Sequence, residues 1–358
     1  MRYRAVCFDT RNEKNVRRFL RFPSSLYSKE QLTQDIAAER ALLKGEHILS
    51  HYFTVYPFLV SDENGNTAAR CMLTVYHGQT CAYIGFFECI NDRYAATCLF
   101  RAAEEKARRL GCDRLIGTVD ASFWIRYRLK TNCFDQLPYT GEPYNLSYYE
   151  GFFLENGFSV SGEYVSNRYG RIPQSALDGR NVRRLQYFTE KGYTISSLDK
   201  ESFEKTLREI YRMMISLYSG FQTFSHITEE EFCKLYSPLK NAADPDMVKI
   251  AYLNGKAVGF FVTLPNYGNA GCGMLTPSKL WHICKVKREC KDYILLYLGT
   301  EPEHLGLGKA LSECLLGEMC SRQAVSMGAL IRKGKVTGSY FSRLIEKEYT
   351  YALYEKAL

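Results

Sequence analysis

The stretch Tyr297-Leu298-Gly299-Thr300-Glu301-Pro302-Glu303-His304-Leu305-Gly306-Leu307-Gly308-Lys309-Ala310-Leu311 constrains this chain more than any other. An apolar strand runs into a glycine-rich turn and then directly into a helix, so successive backbone N–H groups and the positive helix end converge on one point. Such a point is a cradle for phosphate. Glycine at 306 and 308 allows close approach or positive φ with no Cβ in the way. A tight strand-to-helix turn that binds nothing meets the same pattern. The spacing is neither GxGxxG nor GxxxxGK(S/T), so neither a dinucleotide fold nor a Walker loop is expected.

The order of elements around this stretch occurs twice. In the first half, alternating runs from Tyr52 to Ser61 and from Ala68 to Tyr76 flank Asn64-Gly65, a hairpin signal. The nearly all-apolar run Ala82 to Glu88 follows. Asn91-Asp92 then caps a helix from Arg93 to Leu110 that Gly111 ends, and Arg114 to Val119 returns as a strand. Strand, helix, strand implies a crossover with parallel neighbours. An aromatic and basic segment leads to a helix over Tyr148 to Phe158 and a strand from Ser159 to Arg168.

The second half predicts helices over Ser202 to Tyr218 and Glu229 to Leu239, then a hairpin of Met247 to Leu253 with Ala257 to Leu264 about Asn254-Gly255. A Gly- and Asn-rich loop, Asn266 to Gly273, precedes the strand Tyr293 to Gly299. The helix Leu307 to Met319, a strand Ser326 to Ile331, a helix near Ser339 to Lys347 and a strand Tyr349 to Glu355 complete it. The pattern is that of a duplication: domains over 1–172 and 180–358, with Pro173 to Arg180 as a linker.

Composition agrees with a folded chain of about two domains: 358 residues, 46% hydrophobic and 24% charged. The net charge of +8 suits an anionic ligand. The 13 cysteines are odd in number, form no CxxC, and sit in apolar runs as Cys89, Cys98 and Cys314 do. They read as reduced thiols of a cytoplasmic protein. No apolar run approaches 18 residues and Met1-Arg2-Tyr3-Arg4 opens no signal peptide, so neither a membrane partner nor secretion is expected. No metal is expected either. His47 and His51 lack the Glu of a zincin motif, and Cys284, Cys290, Cys314 and Cys320 lack ligand spacing.

The segment 297–311 resembles the acyl-CoA loop of the GNAT superfamily of N-acyltransferases, whose signature Gln/Arg-x-x-Gly-x-Gly/Ala follows a strand often ending in Pro-Glu. Aligned on Pro302-Glu303, Gly308 and Ala310 fit and Leu305 stands in the Gln/Arg slot. A frame two residues earlier would put the anionic Glu303 beside a pyrophosphate. Tyr83 to Phe87, the capped helix after it, Tyr148 to Phe158 and Asp244 to Leu264 look like other superfamily elements. Together they resemble a poorly characterised bacterial group with two such domains.

The resemblance implies an α/β fold of two tandem GNAT-like domains, each a mixed, mostly antiparallel twisted sheet flanked by helices. It implies acetyl-CoA or another acyl-CoA as co-substrate, with an acyl group passed to a small-molecule or peptide amine. Leu298, Gly299 and Thr300 would hold the pantetheine by their backbone. Leu305, Gly306, Leu307, Gly308, Lys309 and Ala310 would hold the pyrophosphate. Tyr340 would protonate the leaving thiolate, although a core or surface tyrosine reads equally well among 27 Tyr. Glu301 and, across a cleft, Glu88 are the candidate bases; each is also an ordinary cap or solvated carboxylate. The first-half turn Glu88-Cys89-Ile90-Asn91-Asp92 has no glycine and carries two carboxylates, so that copy is expected not to bind CoA. Two alternatives stay open. One is an enzyme like the aminoacyl-tRNA-dependent peptidyl transferases, the only reading in which tRNA is a partner. The other is a non-catalytic acyl-CoA-binding protein.

Overall fold

A computed structural model describes residues 3–177, 179–271, 276–334 and 342–358. Contacts divide the chain into two units: Met1–Tyr164 with Gly268–Thr276 and Tyr349–Leu358, and Val165–Tyr267 with Pro277–Glu348. These differ from the contiguous ranges 1–172 and 180–358, because the last strand pairs with a strand of the first unit. The architecture is mixed α/β, with sheet flanked by helices.

The first unit opens with β1 (Arg4–Cys7), α1 (Glu13–Arg21) and α2 (Ile36–Lys44). Asp35 caps α2 by accepting from the N–H groups of Ala37 and Ala38, which starts the helix at Ile36. The hairpin β2 (Phe53–Ser61) and β3 (Thr67–Tyr76) turns where Asn64-Gly65 predicts, with Gly65 at φ +81°. Next come β4 (Cys81–Cys89), α3 (Arg93–Arg109) and β5 (Arg114–Gly117), with β4 and β5 parallel. Short strands β6 (Val119–Asp120), β7 (Arg126–Tyr127) and β8 (Leu129–Lys130) precede α4 (Tyr149–Glu155) and β9 (Ser159–Tyr169). The core is aromatic: Phe87, Phe100, Tyr149, Phe153 and Phe158 are all buried. Ring centroids of Phe87 and Phe100 lie 5.1 Å apart, and those of Phe100 and Phe153 4.9 Å.

The second unit carries α5 (Gly179–Glu190), β10 (Tyr193–Ser197), α6 (Phe203–Tyr218), α7 (Glu229–Tyr236) and α8 (Leu239–Ala242). The hairpin β11 (Lys249–Leu253) and β12 (Lys256–Pro265) leads to α9 (Pro277–Glu289), β13 (Asp292–Thr300), α10 (Leu307–Ser321) and β14 (Val325–Arg332). Its strands run β14-β13-β12-β11-β10, antiparallel except for the β13–β14 pair. Leu307, Ala310, Leu311, Leu315 and Met319 recur at helical spacing and bury one face of α10 against Val258 and Phe261.

Two local expectations are corrected. The start of the expected linker holds the short turn Gln174–Ala176, and its end is already α5. Of the helix expected near 339–347, residues 339–341 lie outside the described residues, Ser342–Leu344 form a short 3-10 turn, and strand follows from Ile345, where β15 (Ile345–Ala357) begins. From residue 349 on, β15 serves the first unit: it pairs antiparallel with β5, and the buried Tyr351 hydroxyl donates to Glu142 at 2.6 Å.

Candidate functional site

In the second unit, β13 and β14 pair only from Asp292 to Leu295, opposite Val325 to Gly328. The register against β12 also shifts there: Leu295 faces Thr263 and Tyr297 faces Val262, which leaves Leu296 as a bulge. Beyond the bulge β13 stays on β12 as far as Thr300 while its β14 side is no longer paired by that strand. Leu295, Leu296, Tyr297 and Leu298 are only half-buried although their strand is internal to the sheet. Among the described residues this leaves a half-buried apolar stretch of β13 with no β14 pairing beyond Leu295.

This stretch leads to the N-terminus of α10. The N-cap is Gly306 at φ +93°, a conformation that favours glycine and leaves no cap side chain to fill the first turn. A Cβ there would lie 3.6 Å from the Arg184 guanidinium carbon, so α5 places a cation beside the turn. The loop is held from β10. The Tyr193 hydroxyl and His304 Nδ1 are 2.7 Å apart, and His304 Nε2 lies 3.7 Å from Glu301. Gly299 must be glycine, since a Cβ would come within 2.6 Å of Leu217 and 2.8 Å of Phe260.

The structure thus brings Leu298, Gly299 and Thr300 onto this part of β13, with Gly306, Leu307, Gly308, Lys309 and Ala310 at the turn and first helical residues. Leu305 projects into solvent, 89% exposed. Glu301 holds Lys256 at 2.8 Å and 3.1 Å. Tyr340 lies outside the described residues. Arg184, Tyr193 and His304 were missed by sequence reasoning. The apolar pair Leu185 and Phe188, three residues apart, was the signal that could have exposed α5 as a helix.

The first unit repeats the geometry and closes it. β4 and β5 part after Ile84 and Gly117, and the β3 register shifts at the same level. Here the backbone of Val119 and Asp120 fills the gap. A Cβ on Gly85 would lie 2.0 Å from the Val119 carbonyl oxygen, and the Phe86 N–H donates to Asp120 Oδ1 at 2.5 Å. At the start of α3, Asp92 accepts from the N–H groups of Tyr94 and Ala95, and the Tyr3 hydroxyl donates to it at 2.7 Å. A carboxylate therefore sits where a phosphate would need the amides.

Glu88 is 9% exposed, at the end of β4. Its Oε2 accepts from both Tyr27 (2.8 Å) and Tyr149 (2.7 Å) hydroxyls. Burial pushes this carboxyl above the usual range, against the pull of Arg70, the two phenols and Arg126. A carboxyl raised in the folded state binds protons more tightly there than in the unfolded chain. Stability therefore falls as pH rises through the window between its ordinary and raised values. Glu88→Gln keeps an acceptor for both tyrosines and is expected to melt level with wild type near pH 4. At pH 7 it should melt higher. Calorimetry at the two pH values checks this; a lower melting point for the variant at pH 7 would contradict it.

No known protein-family profile matches the chain. Two curated relatives do. Protein YghO of Escherichia coli (strain K12) is 23% identical over 273 residues, 72% of this chain and 68% of its own length. The bacterial ceramide synthase of Caulobacter vibrioides is 24% identical over 196 residues, 54% of this chain and half (50%) of its own length. Among solved structures, a tandem GNAT protein from the clavulanic acid biosynthesis pathway superposes with a TM-score of 0.57 at 9% identity, covering 99% of this chain and 98% of that one. A GCN5-related glucosamine N-acetyltransferase region in a fungal multi-domain beta-N-acetylglucosaminidase gives 0.56 at 12% identity, covering 99% of this chain and 38% of that one. The chain has the tandem GNAT fold.

Proposed function

We propose that this tandem GNAT fold serves acyl transfer: the second unit binds an acyl-CoA and passes its acyl group to an amine. The observation that carries the reading is the parting of β13 from β14 beside a helix that begins on an uncapped glycine. The pantetheine arm lies along the edge of β13 that β14 leaves and hydrogen-bonds the backbone of Leu298 to Thr300. The pyrophosphate meets the first turn of α10, with Arg184 beside it. The half-buried leucines of β13 face the acyl end.

The amine nitrogen attacks the thioester carbonyl carbon, the N–C bond forms and the C–S bond breaks. The amine gives up a proton and the thiolate takes one. No covalent enzyme intermediate is needed, so holding the two reactants together supplies most of the acceleration. In this reading Tyr340 supplies the thiolate's proton. The first unit, whose cleft is filled by Val119 and Asp120, binds no CoA. Kinship with a protein named bacterial ceramide synthase supports amide formation, because a ceramide is the amide of an amine.

The test is release of free CoA thiol from acetyl-CoA and longer acyl-CoAs in the presence of a panel of amines. Amine-dependent release with at least one pair is expected. Acyl-CoA binding without turnover for any amine would favour a non-catalytic binding protein. Absence of any CoA binding, with salt-dependent tRNA binding instead, would favour the aminoacyl-tRNA reading.

A further inference from the structure

The first unit holds a small cleft, open to solvent, of about 30 Å³ lined by Phe86, Glu88, Asp120, Arg126, Arg128 and Tyr144, among others. It adjoins the gap that Val119 and Asp120 fill, and the acyl-transfer reading gives it no use. Its charges are unevenly spent. Asp120 has both oxygens engaged, taking the Phe86 N–H on Oδ1 and Arg126 Nε on Oδ2 at 2.6 Å. Glu88 is nine-tenths buried and takes both its phenols on Oε2; among the described residues Oε1 has no hydrogen-bond partner.

The cations are also left with capacity. Arg126 uses Nε on Asp120 and Nη1 on Thr33, and among the described residues Nη2 makes no hydrogen bond. Arg128 is stacked, its guanidinium carbon 3.7 Å from the Tyr127 ring centre and 4.1 Å from that of Tyr164, and Nη2 donates to the Tyr127 hydroxyl. Its Nη1 makes no hydrogen bond among the described residues. Stacking fixes the guanidinium plane and costs the ligand little ordering entropy. One unspent acceptor, on a desolvated carboxylate, therefore shares a small cleft with two unspent guanidinium nitrogens.

We propose that this cleft binds a small zwitterion of the α-amino acid class, its ammonium on Glu88 Oε1 and its carboxylate on Arg126 and Arg128. Both ligand charges are needed. An amine alone leaves the guanidinium nitrogens unsatisfied, and an acid alone would face the Glu88 carboxylate. Every residue that builds this site belongs to the first unit, whereas the acyl-CoA reading rests on the second.

The experiment is isothermal titration of the full chain with the common L-amino acids, each bound one repeated with its des-amino acid and its decarboxylated amine. Saturable binding of at least one amino acid is expected, weakened tenfold or more when either charge is missing. Glu88→Gln and Arg128→Gln should each weaken it tenfold or more, with circular dichroism unchanged and acyl-CoA affinity kept. Failure of every amino acid to bind at millimolar concentration would overturn the proposal. So would equal binding of either half-ligand, or binding untouched by both substitutions. Acyl-CoA affinity is measured in the same samples, so failure here is told apart from failure of the acyl-transfer reading.

Discussion

Glutamate in place of Gly308 is expected to weaken acyl-CoA binding by at least about a hundredfold and to abolish turnover. Gly308 is buried in the first turn of α10, two residues past the Gly306 cap. The new side chain would bring both bulk and negative charge to the place where the helix end and its amides favour an anion. Thermal stabilisation by CoA is the simplest readout, because a ligand at 100 times its dissociation constant adds about 2.7 kcal/mol. Position 305 separates charge from damage to the fold, since Leu305 is exposed. Leu305→Glu should weaken binding and Leu305→Arg should tighten it by about threefold. Unchanged affinity across all three variants would remove the pyrophosphate from this turn.

The largest expected effect on stability comes from a different place. Arg70 and Glu39 form a bidentate pair, 2.7 Å and 3.2 Å, with side chains 1% and 3% exposed. The Phe19 carbonyl accepts from Arg70, Gln34 donates to Glu39, and the guanidinium lies 4.4 Å from the Phe19 ring centre. Glu39→Ala would leave a guanidinium buried without its counter-charge, and is expected to cost about 3–5 kcal/mol. In calorimetry that is a fall of roughly 10 °C in the melting of the first unit. The double variant Glu39→Leu with Arg70→Met should recover most of the loss, since it removes both charges together. A loss below about 1 kcal/mol for the single variant would show that water reaches this pair.

Much of the fold was legible because local chemistry marks it. Asn64-Gly65 and Asn254-Gly255 turn where they predict; Asn254 and Gly255 both take positive φ, at +52° and +77°. Asp92 caps α3 and the apolar face of α10 is the buried one. The passage from Glu301 to Ala310 was legible as a strand-to-helix turn for the same reason.

What stayed hidden depends on contacts distant in sequence. Nothing local to Val119 or Asp120 says that they will cross Gly85 and fill the first cleft. Nothing local to Tyr193 points to His304, 111 residues away. Only the first two residues of α5 fell in the expected linker, and the rest of the helix went unassigned because its sequence is largely polar on the side away from Leu185 and Phe188. β15 was assigned to the half of the chain in which it lies, whereas the Tyr351 and Tyr354 hydroxyls donate to Glu142 and Glu150 of the first unit. Glu88 was singled out for its place beside a turn. Its two phenols, and the oxygen they leave unused, required the folded chain.

The central claim is that acyl-CoA occupies the parted strands of the second unit and not those of the first. Amide hydrogen exchange with and without CoA measures this segment by segment. Slowed exchange over residues 296–300 and 306–310, with 85–95 unchanged, is the result the account predicts. Protection confined to 85–95, or none in either segment under saturating CoA, would contradict it.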